Sequence, residues 1–348
     1  MEFDLTQRQQ NILLAIVLDY IASAEPVGSR TISKKYELSL SPATIRNEMA
    51  ELEEHGLLTQ LHSSSGRIPS DMGYRTFVYY LMEKPALSDN EKDTIKSIQH
   101  NTSKLELILE QSARVLSALS NTVAIIQFPE TNKDFVKHFQ LLPISDSSFV
   151  IVIVSNTGKV SDFLVKLEHP VEENFFNYLT NYFNEELLGI SFSQLHRKLN
   201  ELITGNIRHD NVLKNIYNTI KDNLNLEKSK ICVSGTSKLI KEPEFTENEK
   251  AHSLLNFFEH NENSKELSEI LLNSGQVMGE KEEPLILIGR EIKISQLQNC
   301  SLIMGSYRIG NEVSGSIGLL GPTRMQYGKS VATLEEMIKN LSYLLTKL

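Results

Sequence analysis

The 348-residue chain has no tryptophan and two cysteines, Cys232 and Cys300, which lie far apart and belong to no CxxC pair. That scarcity excludes a disulfide framework and a thiolate metal site, and leaves both as ordinary semi-buried thiols. No stretch reaches the roughly 20 apolar residues that a bilayer crossing requires. The acidic, polar start MEFDLTQRQQ has no apolar signal run behind it, so a cytoplasmic chain without a membrane partner is expected. Also missing are HExxH, G-x-x-x-x-G-K-[ST], G-x-S-x-G and any His/Cys cluster at metal spacing. SNTGKV lacks the helix that follows a phosphate loop and reads as a β-turn, while the adjacent Glu282 and Glu283 would face opposite ways in a strand. No enzyme, metal or cofactor is expected.

Basic charge is scarce overall but unevenly placed. A net charge of -9 argues against a protein that coats nucleic acid indiscriminately, because such binding is mostly phosphate neutralisation. Between Pro26 and Arg46, however, Arg30, Lys34, Lys35 and Arg46 stand against Glu37 alone, whereas Glu48, Glu51, Glu53 and Glu54 follow on later turns. Segregation of this kind steers a docking surface more than the total does.

The first 84 residues read as three helices and a hairpin. Thr6 and Gln9 have capping-box spacing ahead of an apolar stripe over residues 5–24, and Ser29 is placed to cap a short second helix. The third is bounded on both sides: Ser41 as N-cap, Pro42 at the first helical position and Gly56 past the last turn. Ile45, Met49 and Leu52 form its inward stripe, which leaves Ala43, Thr44, Arg46 and Asn47 near the helix start. Side chains of these types can enter a major groove and meet base edges or phosphates. LLTQLH and IPS then fit two short strands around SSSGR, with Gly66 expected in a left-handed turn and Arg67 reaching a phosphate or minor groove. The competing reading is a small helical domain whose arginines are merely solvated.

Further on, Ile95, Ile98, Thr102, Leu105, Leu109, Ser112, Leu116 and Leu119 recur at spacings of three and four, a seam that fits either an intramolecular or an intermolecular partner. Strand-like TVAIIQF, FVKHFQLLPI, SFVIVIVS and VSDFLVKLE follow, then helical patterning broken by KICVSG, then EPLILIGREI and NCSLIMGSYRIGNEVSGSIGLLG before a terminal helix. Strands on both sides of a helical block suggest an α+β domain with an insertion.

Three stretches carry a resemblance: LTQRQQNIL through YIASAEPVGSRTIS, SPATIRNEMAELEEHGLLTQLHSSSGRIPSDMGYRTFV, and CSLIMGSYRIGNEVSGSIGLLGPTRMQYGKSV. They resemble the HrcA family of bacterial heat-inducible transcription repressors over nearly the whole chain. The resemblance implies an α+β multidomain fold: a winged helix-turn-helix over 1–84, a connecting helical segment over 85–119, a discontinuous GAF-like dimerisation domain over 120–191 and 285–348, and an inserted smaller domain over 192–284. It implies a homodimer that binds double-stranded inverted-repeat operator DNA and is modulated by the GroEL chaperonin. Residue by residue, it assigns DNA contacts to Ser29, Arg30 and Thr31, to Ser41, Thr44, Arg46 and Asn47, to Ser64, Ser65, Gly66 and Arg67, and to Tyr74 and Arg75. LIGREI departs from the family's glutamate–asparagine pairing, and no role passes to Glu291. A metabolite-responsive GAF-type regulator is the alternative.

Overall fold

A computed structural model describes residues 5–36, 40–60, 62, 65–100, 105–129, 135–156, 158, 160–167, 171–204, 210–228, 231–246, 248–259, 266–271, 283–310 and 312–347. It is an α+β protein that divides into two compact units, Met1–Phe128 with Ile231–Leu348, and Pro129–Lys230.

The first unit begins with α1 (Gln7–Ser23), α2 (Ser29–Lys35) and α3 (Pro42–Glu54). The expected capping box opens α1: Gln9 N–H donates to Thr6 Oγ1 at 3.3 Å, and Thr6 N–H donates back to Gln9 Oε1 at 3.1 Å. Ile12, Leu13, Ile16 and Val17 are fully buried, each contributing ~1.5–3 kcal/mol at most. α2 departs from expectation, since Gly28 occupies its N-cap and Ser29 is the first helical residue. Two short strands, β1 (Leu58–Thr59) and β2 (Ile68–Pro69), pair antiparallel after α3. DMGYRTFVYYL then forms a fourth helix, α4 (Asp71–Thr76), which widens into a π-helical turn at Phe77–Leu81.

Next come α5 (Asp89–Lys96), α6 (Leu105–Ser120), and a five-stranded antiparallel sheet. Its strands are β3 (Val123–Gln127), β7 (Ile231–Ser234), β8 (Leu285–Ile288), β9 (Cys300–Ile309) and β10 (Glu312–Pro322), in the order β7-β3-β10-β9-β8. Alternate residues point to opposite faces, as strand geometry demands. Ala124 and Ile126 of β3 join a core with α6 and the terminal helix α13 (Tyr327–Thr346), while Val123 and Ile125 join another with Leu239, Phe245, Leu254 and Phe257. These last come from α10 (Thr236–Ile240), the turn Pro243–Phe245 and α11 (Asn248–Glu259), with α12 at residues 266–271 beside them. The seam residues Ile95, Ile98, Leu109 and Leu116 are buried in the first core against α13, so that stripe is an intramolecular contact. Thr102 lies outside the described residues.

The second unit is the meander β4 (Val136–Ser145), β5 (Ser148–Ser155) and β6 (Val160–Lys166), with α7 (Glu173–Leu187), α8 (Phe192–Thr204) and α9 (Asp210–Lys228). Phe139 meets Phe183 and Phe149 meets Phe176 at ring-centroid distances of 5.0 and 4.9 Å in its core. The hairpin expected around SNTGKV joins β5 to β6, although Thr157 and Lys159 lie outside the described residues.

The insertion expected at 192–284 is corrected by these pairings. β4–β6 pair only with one another among the described residues, whereas β7, from the short KICVSG patch, hydrogen-bonds to β3. The inserted unit is therefore Pro129–Lys230, bounded by two neighbouring strands of the larger sheet.

Candidate nucleic-acid interface

α3 is held so that its first turn faces outward. Ser41 Oγ accepts from Thr44 N–H at 3.1 Å and lies 2.9 Å from the Thr44 hydroxyl, and Pro42 occupies the first turn. Ile45, Met49 and Leu52 are buried on the opposite side. Ser41, Arg46 and Asn47 are exposed and Thr44 half-buried; Arg30 and Thr31, at the start of α2, are exposed as well. A helix N-terminus favours anions through its free N–H groups and dipole, so cations beside it add to one field.

Carboxylates on the later turns of α3 are engaged elsewhere. Glu48 accepts from Arg8 at 3.1 Å, Glu51 from the Gln9 amide at 2.9 Å and Glu53 from Arg67 Nε at 2.8 Å. Lys35 is taken by Asp19. Among the described residues, no carboxylate pairs with Arg30, Lys34 or Arg46. The cations left open are thus Arg30 and Lys34 of α2 and Arg46 near the start of α3, while Glu48 and Glu51 tie α3 to α1 and Glu53 ties it to Arg67, just before β2.

Gly28, Ser29, Arg46, Met49, Gln60, Ser65, Gly66 and Arg67 line one cleft of about 380 Å³. Six positions from three other stretches, 28–29, 60 and 65–67, are brought to Arg46 and Met49 of α3 this way. The segment before β2 is fixed by its own contacts: Ser65 Oγ donates to His62 O at 2.8 Å, and Gln60 Nε2 donates to Ser65 O at 3.1 Å. Val27 and Arg67 exchange backbone hydrogen bonds of 2.9 Å in both directions, which stitches this segment to the start of α2.

Several sequence expectations are corrected here. Gly66 does not have a left-handed backbone; it is required because a Cβ would stand 2.4 Å from Val27 O. Arg67 lies at the base of the β1–β2 hairpin, bound to Glu53, and is not a free fingertip. Ser29 is 8% exposed, a buried residue in the cleft wall rather than an open contact. Tyr74 is 2% exposed and packed against Tyr327 at 5.9 Å, a core position rather than a surface one, and that burial pushes its phenol well above the usual range. Arg75 is bound to Glu291 and to Ile286 O at 2.8 Å. Ser64, and Ser63 beside it, lie outside the described residues. His62 is exposed.

Sequence reasoning missed Gln60 and Glu53. Neither belongs to an apolar period or a known motif, and their partners are set only when β1 and β2 close. Away from this surface, Arg324 Nε donates to Glu244 Oε1 at 2.6 Å while Nη2 pairs with Glu242. Burial raises the Cys300 thiol far above its ordinary range and Cys232 less so, which suits inert thiols.

Comparison with known proteins supplies the remaining evidence. Residues 106–331 match the HrcA protein C terminal domain. The chain is 37% identical over 346 residues to the heat-inducible transcription repressor HrcA of Desulfitobacterium hafniense, covering 98% of this chain and 97% of that one. It is 39% identical over 341 residues to the protein of the same name from Carboxydothermus hydrogenoformans, covering 97% of each. A crystal structure described as a hypothetical protein shares the fold with a TM-score of 0.61 and 23% identity, over 99% of both chains.

Proposed function

Because the chain belongs to the HrcA family of heat-inducible transcription repressors, we propose that it silences heat-shock chaperone operons by seating α3 of two copies in an inverted-repeat operator. The observation that carries this reading is the separation of charge: Arg46 near the start of α3 and Arg30 at the start of α2 have no paired carboxylate among the described residues, while Glu48, Glu51 and Glu53 on the later turns of α3 are engaged. In this reading residues 1–84 are a winged helix. α3 enters the major groove, with Thr44, Arg46 and Asn47 as readers. Ser41, Arg30 and Thr31 meet the backbone, and Ser65, Gly66 and Arg67 form the base of the wing.

The five-stranded sheet and its helices act as the GAF-like body of a dimer. One winged helix buries too little DNA to select an operator among many competing sites, whereas two related by a twofold axis read both halves at once. The small sheet offers a further reason for self-association. On β5, Val150 lies between exposed Leu142 and Leu164 and Val154 beside exposed Val160, while Val152 between them is flanked by Gln140 and Asp162. A solvated sheet face normally alternates with polar residues, and a second copy is its natural cover.

Repression follows from occupying promoter DNA, with no bond chemistry. GroEL modulates it by binding the foldable, DNA-competent chain: a partner that favours one state raises its population by mass action, and unfolded clients that occupy the chaperonin during heat withdraw that support. Footprinting over chaperone-operon promoters tests the reading. Protection of an inverted repeat is expected, with an active fraction that rises when chaperonin is added during refolding. A well-folded protein that protects no repeat would remove the repressor mechanism, and an active fraction indifferent to chaperonin would remove the modulation alone.

A further inference from the structure

Among the described residues β8 is an edge strand, hydrogen-bonded to β9 on one side only, so its other side would leave backbone groups open. Two side chains close it. Arg75 Nη2 donates to Ile286 O at 2.8 Å, and Ile288 N–H donates to Glu291 Oε2 at 2.8 Å. The same side chains hold each other, with Arg75 Nε donating to Glu291 Oε1 at 3.0 Å and Nη2 paired with Oε2. A donor at one carbonyl and an acceptor at the N–H two residues later are what a neighbouring strand would present. The donor comes from α4 of the DNA-reading region, so the fork joins that region to the sheet.

Other contacts reinforce the junction. Asp71, in the first turn of α4, accepts from Arg290 N–H at 3.1 Å. Tyr74 and Phe77 lie 5.9 and 6.4 Å from the Tyr327 ring of α13, and a continuous hydrophobic core runs from α1–α3 through α4 to α13. Apolar packing supplies adhesion without direction, whereas a planar guanidinium held at two points fixes an angle.

We propose that Arg75 and Glu291 are positioning residues for operator recognition: their fork on the β8 edge sets the angle at which α3 is presented, and hence the half-site spacing that a dimer accepts. This rests on the operator-binding dimer proposed above. Bivalent binding gains its advantage only when the span between the modules matches the span between the sites. Slack at the junction would cost little at one half-site and would blur the choice of spacing.

The test compares full-length wild type, Glu291→Gln and Arg75→Lys on the footprinted repeat, on repeats whose spacer is one or two base pairs longer or shorter, and on a single half-site. Each added base pair turns a half-site by about 35° around the duplex. Wild type is expected to lose ~10-fold or more in affinity on altered spacers, and the two variants ~3-fold or less, with half-site affinity within about twofold of wild type. Glu291→Gln keeps an acceptor for Ile288 N–H, so the edge stays closed; circular dichroism and Tm confirm the fold of both variants. Unchanged spacing discrimination in the folded variants overturns the proposal. So does a large loss on the single half-site, which would make Arg75 a DNA contact. Wild type that prefers no inverted repeat at any spacing overturns the operator reading itself.

Discussion

Arg46 and Arg75 stand in two regions that the same resemblance assigns to DNA, and the structure treats them in opposite ways. Arg46 is exposed at the start of α3 with no carboxylate paired to it among the described residues, beside a cleft shared with Gln60 and Ser65. Arg75 is engaged through Nε and Nη2 by Glu291 and Ile286 O, partners more than 200 positions away in the chain, and its neighbour Tyr74 is buried. A motif gives residue types and spacing; whether a cation remains available is decided by what folds against it.

The largest expected effect sharpens that contrast at Tyr74. Tyr74→Ala should destabilise the fold by ~3–5 kcal/mol in urea unfolding, because it empties a buried aromatic site between α4 and α13. Tyr74→Phe should leave Tm unchanged or raise it, since the phenol oxygen is buried without a hydrogen-bond partner among the described residues. A strong loss of DNA affinity with unaltered stability in either variant would restore Tyr74 to the interface.

Arg46→Ala comes next, with an expected loss of ~1–3 kcal/mol in operator binding at fixed salt and little change in Tm. An equal loss on random DNA would demote it to a backbone contact. Glu53→Gln is expected to have a smaller effect. It loosens Arg67 at the hairpin base, and a charge-assisted hydrogen bond half-exposed to solvent contributes ~1 kcal/mol or less. Binding should weaken evenly across sequences, and a change in sequence preference would show that the hairpin reads bases.

The smallest effect lies far from DNA and depends on pH. The Lys329 ammonium, then the Ser88 N–H and hydroxyl, hold the Glu91 carboxyl down at about 2. A carboxyl lowered in the folded state stabilises above its ordinary range and loses that contribution as pH falls through the folded value. The small Tm advantage of wild type over Glu91→Gln should therefore be full at neutral pH and shrink between about pH 4.5 and pH 2. A constant difference across that window would mean that the pair adds nothing.

What the sequence made legible was local. Thr6 with Gln9, and Ser41 with Pro42, mark helix starts because capping satisfies N–H groups within a turn, and those expectations agree with the structure. The α3 stripe and the β5–β6 hairpin were readable for the same reason of short period. The insertion was misplaced because KICVSG is too short to declare its partner, and its pairing with β3 bridges more than 100 residues. Gly66 was recognised as necessary but for the wrong cause: its constraint is the Val27 carbonyl, a neighbour distant in sequence. The Arg75–Glu291 fork was invisible for the same reason, since no periodicity links residues that far apart.

One measurement bears on the central claim most directly: the ratio of operator to scrambled-DNA affinity for folded Arg46→Ala and Arg75→Ala on a single half-site at controlled salt. Arg46→Ala should cut the ratio about tenfold or more while Arg75→Ala leaves it near the wild-type value. The reverse order, with Arg46 dispensable and Arg75 required, would contradict the placement of the reading surface at the start of α3.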